Sequence, residues 1–275
     1  MSDNVPFYIV KKMRKHPVAW FYLLAFGISW IGMISAALGT HGIVPFDRPY
    51  VQLLSIFYVV GPALAAVIVS RIAEGKTGVQ NLLKGLIRWR VGLVWYIVTL
   101  LGSLALFIAA QGLTKLLGFS AIVITPQVDL SLYFVIGLIV NFFANICEEI
   151  GWRGFALPRL QKRHNAFIAS LIVGTLWAFW HLPTVFLVGN PMAEYPFLWF
   201  IIIVTNAFIY TWIYNSTKGS ILLVALFHGS LNVWGLFITG VSPVVDALLN
   251  CVVAIILITV FGKANLSHQK RIYVD

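Results

Sequence analysis

The sequence predicts an all-α, polytopic integral membrane protein with about eight transmembrane helices. Of its 275 residues, 60% are hydrophobic and 10% are charged. That composition is too apolar for a soluble domain, whose outer surface must meet water. Apolar runs long enough to cross about 30 Å of hydrocarbon recur along the chain, and the basic residues fall almost entirely between alternate runs. We expect one membrane-embedded domain over residues 1–275, located in the cell membrane.

Eight apolar runs are long enough to be transmembrane helices. The connections between them are short and contain prolines, as expected at helix ends. The last three runs are the shortest, so their ends are the least sharply defined. In chain order, the predicted spans are Val18–Leu38, Val51–Ala73, Gly92–Leu113, Leu132–Leu157, Phe167–Val188, Phe197–Tyr214, Ser220–Ile238 and Val244–Val260.

The basic residues test this eight-span arrangement, because Lys and Arg are retained on the cytoplasmic side of a membrane. The opposite side receives only Arg48 and Lys115, and Arg153 lies inside a span. This asymmetry predicts an even number of spans, with both termini cytoplasmic. The sixteen residues on the cytoplasmic side are Lys11, Lys12, Arg14, Lys15, Arg71, Lys76, Lys84, Arg88, Arg90, Arg159, Lys162, Arg163, Lys218, Lys263, Lys270 and Arg271.

The net charge of +10 therefore reflects topology and attraction to anionic lipid headgroups. It does not indicate a nucleic-acid-binding surface. Residues 75–90 carry apolar side chains at helical spacing among Lys84, Arg88 and Arg90, which predicts an amphipathic helix on the inner membrane interface. Membrane lipids are the expected contacts of this helix.

Five ionisable side chains remain at membrane depth once loops and tails are set aside. A charged group in hydrocarbon costs on the order of 3 kcal/mol, so five on three helices are expected to meet one another. At about 1.5 Å per residue, Glu148, His181 and His228 lie roughly 13, 21 and 12 Å from the inner ends of their spans, which places them near one cavity. The five are Glu148, Glu149, Arg153, His181 and His228.

Helical phase separates the two adjacent glutamates. Glu149 and Arg153 are four residues apart in the order that favours an ion pair, which makes Glu149 a charge-compensated supporting residue. Glu148 points about 100° away and has no cation on its own helix. It is therefore the better candidate for a general base.

Two more helix faces complete the predicted site. Trp177 and His181 are four residues apart on the fifth span, and His228 and Asn232 are four apart on the seventh. These groups with Glu148 could activate water, while His228 and Asn232 donate hydrogen bonds to an oxyanion.

The residues leave a metal-dependent alternative open. His181, His228 and Glu148 could instead bind zinc. Their spacing differs from the usual zinc-protease motif with two histidines on one helix, which favours metal-free water activation without excluding zinc. Asn141, Asn145 and Asn206 are interpreted as helix-to-helix contacts.

Three motifs resemble the CAAX prenyl protease and bacteriocin-processing (Abi) family of intramembrane proteases. The first is Glu-Glu-x-x-x-Arg at residues 148–153, the second an aromatic-x-x-x-His element at 177–181, and the third His-x-x-x-Asn at 228–232. Trp177 stands where the family often has Phe. The motifs occur in order on three predicted spans, within a motif-bearing core of about residues 131–240.

This resemblance implies an eight-span endopeptidase of the type II CAAX prenyl endopeptidase kind. By the same likeness, Glu148 and His181 activate water, His228 and Asn232 stabilise the oxyanion, and Glu149 and Arg153 support the site. The implied partner is a peptide or membrane-protein substrate, including prenylated C-terminal tails of the CAAX type. The cofactor requirement stays open between none and zinc.

Two other functions remain open from the sequence. A proton-coupled carrier also places acids and histidines at mid-membrane, but the chain has no evident inverted repeat. A non-catalytic immunity or scaffold protein of the same family would keep the fold without turnover. Every motif position is filled, which favours the enzyme.

Overall fold

The computed structural model describes residues 5–121 and 130–274, and the prediction of an all-α fold is confirmed there. These residues contain α-helices joined by short 3₁₀ turns and loops, and no β-strand. In chain order the helices are α1 Val5–Lys15, α2 Pro17–Thr40, α3 Ile56–Lys84, α4 Leu93–Leu117, α5 Leu130–Glu149, α6 Leu157–Gln161, α7 Ala166–Trp180, α8 Pro191–Glu194, α9 Pro196–Ser216, α10 Ile221–Phe237 and α11 Pro243–Asn265.

Each predicted span overlaps at least one helix, and the chain is a multi-pass membrane protein. Within the described residues, six helical segments are long and apolar enough to cross a bilayer, and α10 is a shorter apolar helix. The count of eight spans and the cytoplasmic termini stay predictions. The six segments are Pro17–Thr40, Leu53–Ile87, Leu93–Leu117, Ala166–Phe186, Pro196–Ser216 and Pro243–Asn265.

Local sequence signals fix where the helices that carry the site begin. Asn165 precedes α7, and its side-chain oxygen accepts a hydrogen bond from the backbone N–H of Ile168 at 2.9 Å. Ser220 does the same for α10, accepting from the N–H of Leu223 at 3.2 Å. Both side chains satisfy helix N–H groups that have no partner within the helix. The positions of His181 and His228 along their helical segments follow from these start points.

A kink at Gly75 divides α3. Gly75 has φ 73° and ψ −154°, outside the helical region and accessible mainly to glycine. The residues after the kink continue to Lys84 and then to a 3₁₀ turn over Gly85–Ile87. The kink coincides with the start of the predicted amphipathic segment at residues 75–90. The interfacial position of that segment stays a prediction.

The predicted fourth span changes its helical geometry halfway. Helix α5 ends at Glu149, and residues Ile150–Ala156 form a π-helix in which every residue is buried. Two glycines let this π-segment pack closely: a Cβ added at Gly151 would lie 2.7 Å from Cβ of Pro62 on α3, and one at Gly154 would lie 2.7 Å from Cδ1 of Ile221 on α10. The two-glutamate motif therefore sits where an α-helix becomes a π-helix, a form often found at functional sites.

Helix α1 precedes the first predicted span and was not among the predicted elements. It packs on α2 and α3, and the Arg14 side chain donates a hydrogen bond to the carbonyl of Ile72 at 3.1 Å.

Candidate functional site

The structure brings the seven sequence-predicted site residues to the junction of four helical segments. Glu148 and Glu149 end α5 and Arg153 lies in the π-segment. Trp177 is in the last turn of α7 and His181 follows that helix directly, while His228 and Asn232 lie one turn apart on α10. Six of the seven are buried, and Asn232 is half-buried.

Glu149 is the centre of a buried charged network. Its Oε1 atom accepts a hydrogen bond from Arg153 Nη1 at 3.1 Å and another from His228 Nδ1 at 2.9 Å. Glu149 and Arg153 are fully buried. The predicted ion pair of these two residues is thus present, and its contact with His228 adds a link that sequence spacing did not indicate. A buried carboxylate is stable only with such partners.

Arg153 is held between two aromatic rings. The centre of its guanidinium lies 4.7 Å from the centroid of Trp177 and 4.4 Å from that of Tyr210. Its Nε and Nη2 atoms have no hydrogen-bond partner among the described residues. Cation–π attraction therefore compensates part of the desolvation of this cation. Tyr210, on α9, was not predicted to belong to the site.

Glu148 is held by two indoles. Its Oε2 atom accepts a hydrogen bond from Trp177 Nε1 at 2.9 Å and one from Trp152 Nε1 at 3.3 Å. Neither partner carries a charge, so Glu148 differs from Glu149 as the helical phase predicted. Trp152 was not among the predicted residues, although its position four residues after Glu148 places it on the same helix face.

Both histidine rings lie close to the ring of Trp177. The ring centroid of Trp177 is 5.7 Å from that of His181 and 5.3 Å from that of His228. His181 Nδ1 bonds the carbonyl oxygen of Trp177 at 2.9 Å. A carbonyl only accepts, so Nδ1 carries the hydrogen and the neutral imidazole has its lone pair on Nε2. His181 is also within electrostatic reach of Glu148 and His228.

Asn232 is positioned by a second asparagine. Its Nδ2 donates a hydrogen bond to Oδ1 of Asn145 on α5 at 3.1 Å. Asn145 is buried and was interpreted only as a contact between helices. It does join α5 to α10, and in doing so it also orients a predicted site residue.

A cavity of about 310 Å³ opens beside these groups. Its volume is at the lower end of the range of small-molecule sites, roughly 300–1,000 Å³. Trp177, His181, His228 and Asn232 form part of its wall. Glu148, Glu149 and Arg153 are not among its lining residues, but each contacts Trp177 or His228 in its wall.

The zinc alternative has a simple geometric test. Among the described residues, no group of three or more His, Cys, Asp or Glu side chains is arranged to hold a metal ion. Glu148, His181 and His228 do not form such a group. We therefore derive no chemical step through a metal.

Asp246 is a further residue that the sequence analysis left out. It belongs to the predicted eighth span, yet it was not counted among the ionisable residues at membrane depth. The structure places it one turn into α11, in the wall of the cavity. The available signal was a lone acid inside an apolar run, but its position near the end of that run made it resemble a loop residue.

Comparison with known proteins supports the family resemblance. Residues 129–234 match the sequence model of the family described as Type II CAAX prenyl endopeptidase Rce1-like. A relative from Methanococcus maripaludis, CAAX prenyl protease 2, is 34% identical over 106 residues. That alignment covers 36% of this chain and 39% of the relative, so the matched segment spans about two fifths of the relative's length. The resemblance predicted from the three motifs is thus confirmed: over residues 129–234, which contain all seven predicted site residues, the chain is similar to the Rce1-like CAAX prenyl endopeptidases.

Proposed function

We propose that this protein is an intramembrane endopeptidase that hydrolyses peptide bonds of membrane-associated substrates. One observation carries the proposal: His181, His228 and Asn232 share one cavity wall with Trp177, whose indole is bonded to the Glu148 carboxylate. His181, a candidate for activating water, and the candidate oxyanion groups thereby line a space that can admit a ligand, while the Glu148 carboxylate is hydrogen-bonded to Trp177 in its wall. The likeness of residues 129–234 to CAAX prenyl endopeptidases supports the same chemistry.

The proposed mechanism uses only side chains of this chain. Glu148 takes a proton from a water molecule that also donates a hydrogen bond to His181 Nε2, and the resulting hydroxide attacks the scissile carbonyl carbon. The Nε2–H of a protonated His228 and the amide of Asn232 donate hydrogen bonds to the oxyanion that forms. Collapse of this tetrahedral intermediate breaks the C–N bond, and the protonated Glu148 gives its proton to the departing amine. Glu149 stabilises the imidazolium of His228 through Nδ1, and Arg153 holds Glu149 in place.

The proposed substrates include prenylated C-terminal tails. The relative's name specifies a CAAX prenyl protease. The cavity is suited to an apolar group such as a prenyl chain, because its lining residues include Leu106, Phe107, Ile202 and Leu236. We therefore place a prenylated peptide first among the substrates to be tested.

The decisive experiment is Glu148→Gln in the full chain, tested for cleavage of a prenylated peptide and of candidate membrane proteins. We expect turnover to fall by at least about a hundredfold, the usual contribution of general-base catalysis, while the thermal midpoint stays close to that of the wild type. Normal cleavage by the variant would refute the assignment of Glu148. Solute uptake by the wild type, without any cleavage, would favour a proton-coupled carrier instead.

A further inference from the structure

The helix bundle has two chemically different ends. At one end, the Arg88 guanidinium donates a hydrogen bond to the carbonyl of Lys218, and Ser220 Oγ donates one to the carbonyl of Arg88 at 2.7 Å. Gln161, at the end of α6, exchanges hydrogen bonds of 3.1 and 2.8 Å with Asn215 in the last turn of α9. We call this the basic end, because the connections and helix ends here carry the sixteen basic residues that the sequence assigns to one side of the membrane.

The opposite end of the bundle joins α4, α10 and α11. Gln111 Nε2, near the end of α4, donates a hydrogen bond to the carbonyl of Thr239, just after α10, at 2.6 Å. The backbone N–H of Ser242, just before α11, donates one to Thr114 Oγ1 at 3.0 Å. Because α9 ends at the basic end, it starts at this opposite end.

The cavity beside the proposed catalytic groups lies in the half of the bundle next to the opposite end. Along α10 its lining residues run from His228 to Ile238, and along α11 they run from Pro243 to Asn250. At about 1.5 Å per residue, His228 is roughly 14 Å from the end of α10 at Phe237. The cavity therefore extends from the level of His228 toward the opposite end.

The wall of the cavity becomes more exposed in that direction. His181, His228 and Tyr210 are buried. Asn190 and Thr239, in connections at the opposite end, line the same cavity and are half-buried. Among the described residues of the wall, none is Lys or Arg. The mouth of the cavity therefore lies among the connections at the opposite end.

Apolar side chains fill the bundle between the site and the basic end. Phe227, directly before His228 on α10, is 2% exposed, and its ring centroid lies 5.5 Å from that of Tyr210. Further side chains on this side of the site are almost completely buried, and none of them lines the cavity. The described part of the bundle is thus closed toward the basic end. These side chains are Phe155, Leu157, Ile213, Ile221 and Leu223.

We propose that substrates enter this cavity from the non-cytoplasmic face of the membrane. Positive charge is retained in the cytoplasm, so the predicted topology puts the basic end inside and the cavity mouth outside. The substrate class that follows is a segment of an exported or membrane-anchored protein that is exposed on the outer face. A tail that stays in the cytoplasm would meet the closed basic end. The inference rests on the proposed function only in calling the entering molecule a substrate.

Thiol accessibility tests the entry route without any assay of activity. Leu231→Cys puts a thiol in the cavity wall, and Leu222→Cys, on the same helix toward the basic end, is the matched control. Both are made in the full chain with Cys147→Ala and Cys251→Ala. A small, membrane-impermeant methanethiosulfonate is added to intact cells or to inverted membrane vesicles. Thiols that remain are then measured after denaturation by the gel shift that a maleimide-linked polyethylene glycol produces.

We expect the reagent outside intact cells to abolish most of the gel shift of Leu231→Cys and to leave that of Leu222→Cys unchanged. Modification of Leu231→Cys in inverted vesicles alone would overturn the proposal, because the mouth would then face the cytoplasm. A thiol at position 231 that reacts from neither side would overturn it too. Equal modification of both variants in intact cells would contradict a bundle that is closed toward the basic end.

A cleavage assay separates the entry route from the proposed function. A membrane-impermeant, quenched, farnesylated peptide is supplied outside intact cells or outside inverted vesicles, and cells expressing Glu148→Gln give the background. We expect cleavage above this background in intact cells only. Cleavage confined to inverted vesicles would overturn the entry route and leave the proposed function in place. Modification of Leu231→Cys from outside, without cleavage from either side, would count against the proposed function and support the entry route.

Discussion

At the scale of single residues, the site rests on two adjacent glutamates in different surroundings. Glu149 is fully buried and bonded to Arg153 and His228, whereas Glu148 is bonded to two neutral indoles. Breaking a buried ion pair strands a charge, which costs far more than losing a neutral hydrogen bond. The two carboxylates should therefore respond differently to the same substitution.

The prediction at this scale is that Glu149→Gln destabilises the protein much more than Glu148→Gln does. Removing the charge at position 149 strands the buried guanidinium of Arg153, and we expect the free energy of unfolding to fall by about 3–5 kcal/mol. The measurement is reversible unfolding by denaturant or heat in one fixed detergent. Glu148→Gln, the neighbouring residue with the identical chemical change, is the matched control. Equal losses in both variants would contradict the distinction between them.

At the scale of helical elements, the π-segment determines how the motif faces the rest of the molecule. Ile150–Ala156 lies against α3 and α10, with Gly151 facing Pro62 and Gly154 facing Ile221. A π-turn holds more residues than an α-turn, so it redirects the residues after it relative to those before it. Arg153 nonetheless reaches Glu149: its Nη1 lies 3.1 Å from Glu149 Oε1, because the two residues are about one turn apart and both side chains are buried.

We predict that Gly151→Ala disrupts this packing. The added Cβ would meet Pro62 Cβ at 2.7 Å, the Pro62 carbonyl oxygen at 3.0 Å and Phe21 Cζ at 3.1 Å. Backbone atoms and a proline ring cannot move aside easily, and overpacking of this kind costs about 1–3 kcal/mol. Unfolding experiments under the same detergent conditions measure the loss in the free energy of unfolding.

Gly112→Ala provides the comparison for that substitution. Gly112 lies in α4, and an added Cβ there has no neighbour within 4 Å. Its only expected effect is the gain in helix propensity, about 0.5–1 kcal/mol relative to glycine. If Gly151→Ala were as stable as Gly112→Ala, the close packing of the π-segment would not be required for the fold.

At the scale of the whole molecule, charge asymmetry sets the orientation in the membrane. Sixteen basic residues fall on one predicted side and two on the other, which predicts that the connection around His164 is inside and the connection around Tyr50 is outside.

This orientation predicts the labelling of single cysteines. We expect Tyr50→Cys to react with a membrane-impermeant maleimide in intact cells, and His164→Cys to react only after permeabilisation. Both positions are exposed. Cys251→Ala serves as the background, and the native Cys147 is buried. Labelling of His164→Cys in intact cells would reverse the predicted topology.

Much of this architecture could be predicted from the sequence, because lipid imposes long apolar helices with the basic residues on one side. The same physics singled out Glu148, Glu149, Arg153, His181 and His228, since charges in hydrocarbon must meet. The hydrogen bond between Glu149 and His228 could not be predicted. The two residues are 79 positions apart in the sequence, and their contact depends on how their helices are rotated about their own axes. The π-segment left no signal either, because all its residues are buried and show no helical periodicity.

Trp177 connects several parts of this molecule at once. Its indole N–H is bonded to Glu148, its ring lies over Arg153, and its surface lines the cavity. A molecule that occupies the cavity changes the surroundings of this one ring, and so does a change in the protonation of Glu148. Trp177 is one of ten tryptophans; in a variant that keeps only this one, we expect the emission to respond both to occupancy of the cavity and to the charge of the neighbouring acid.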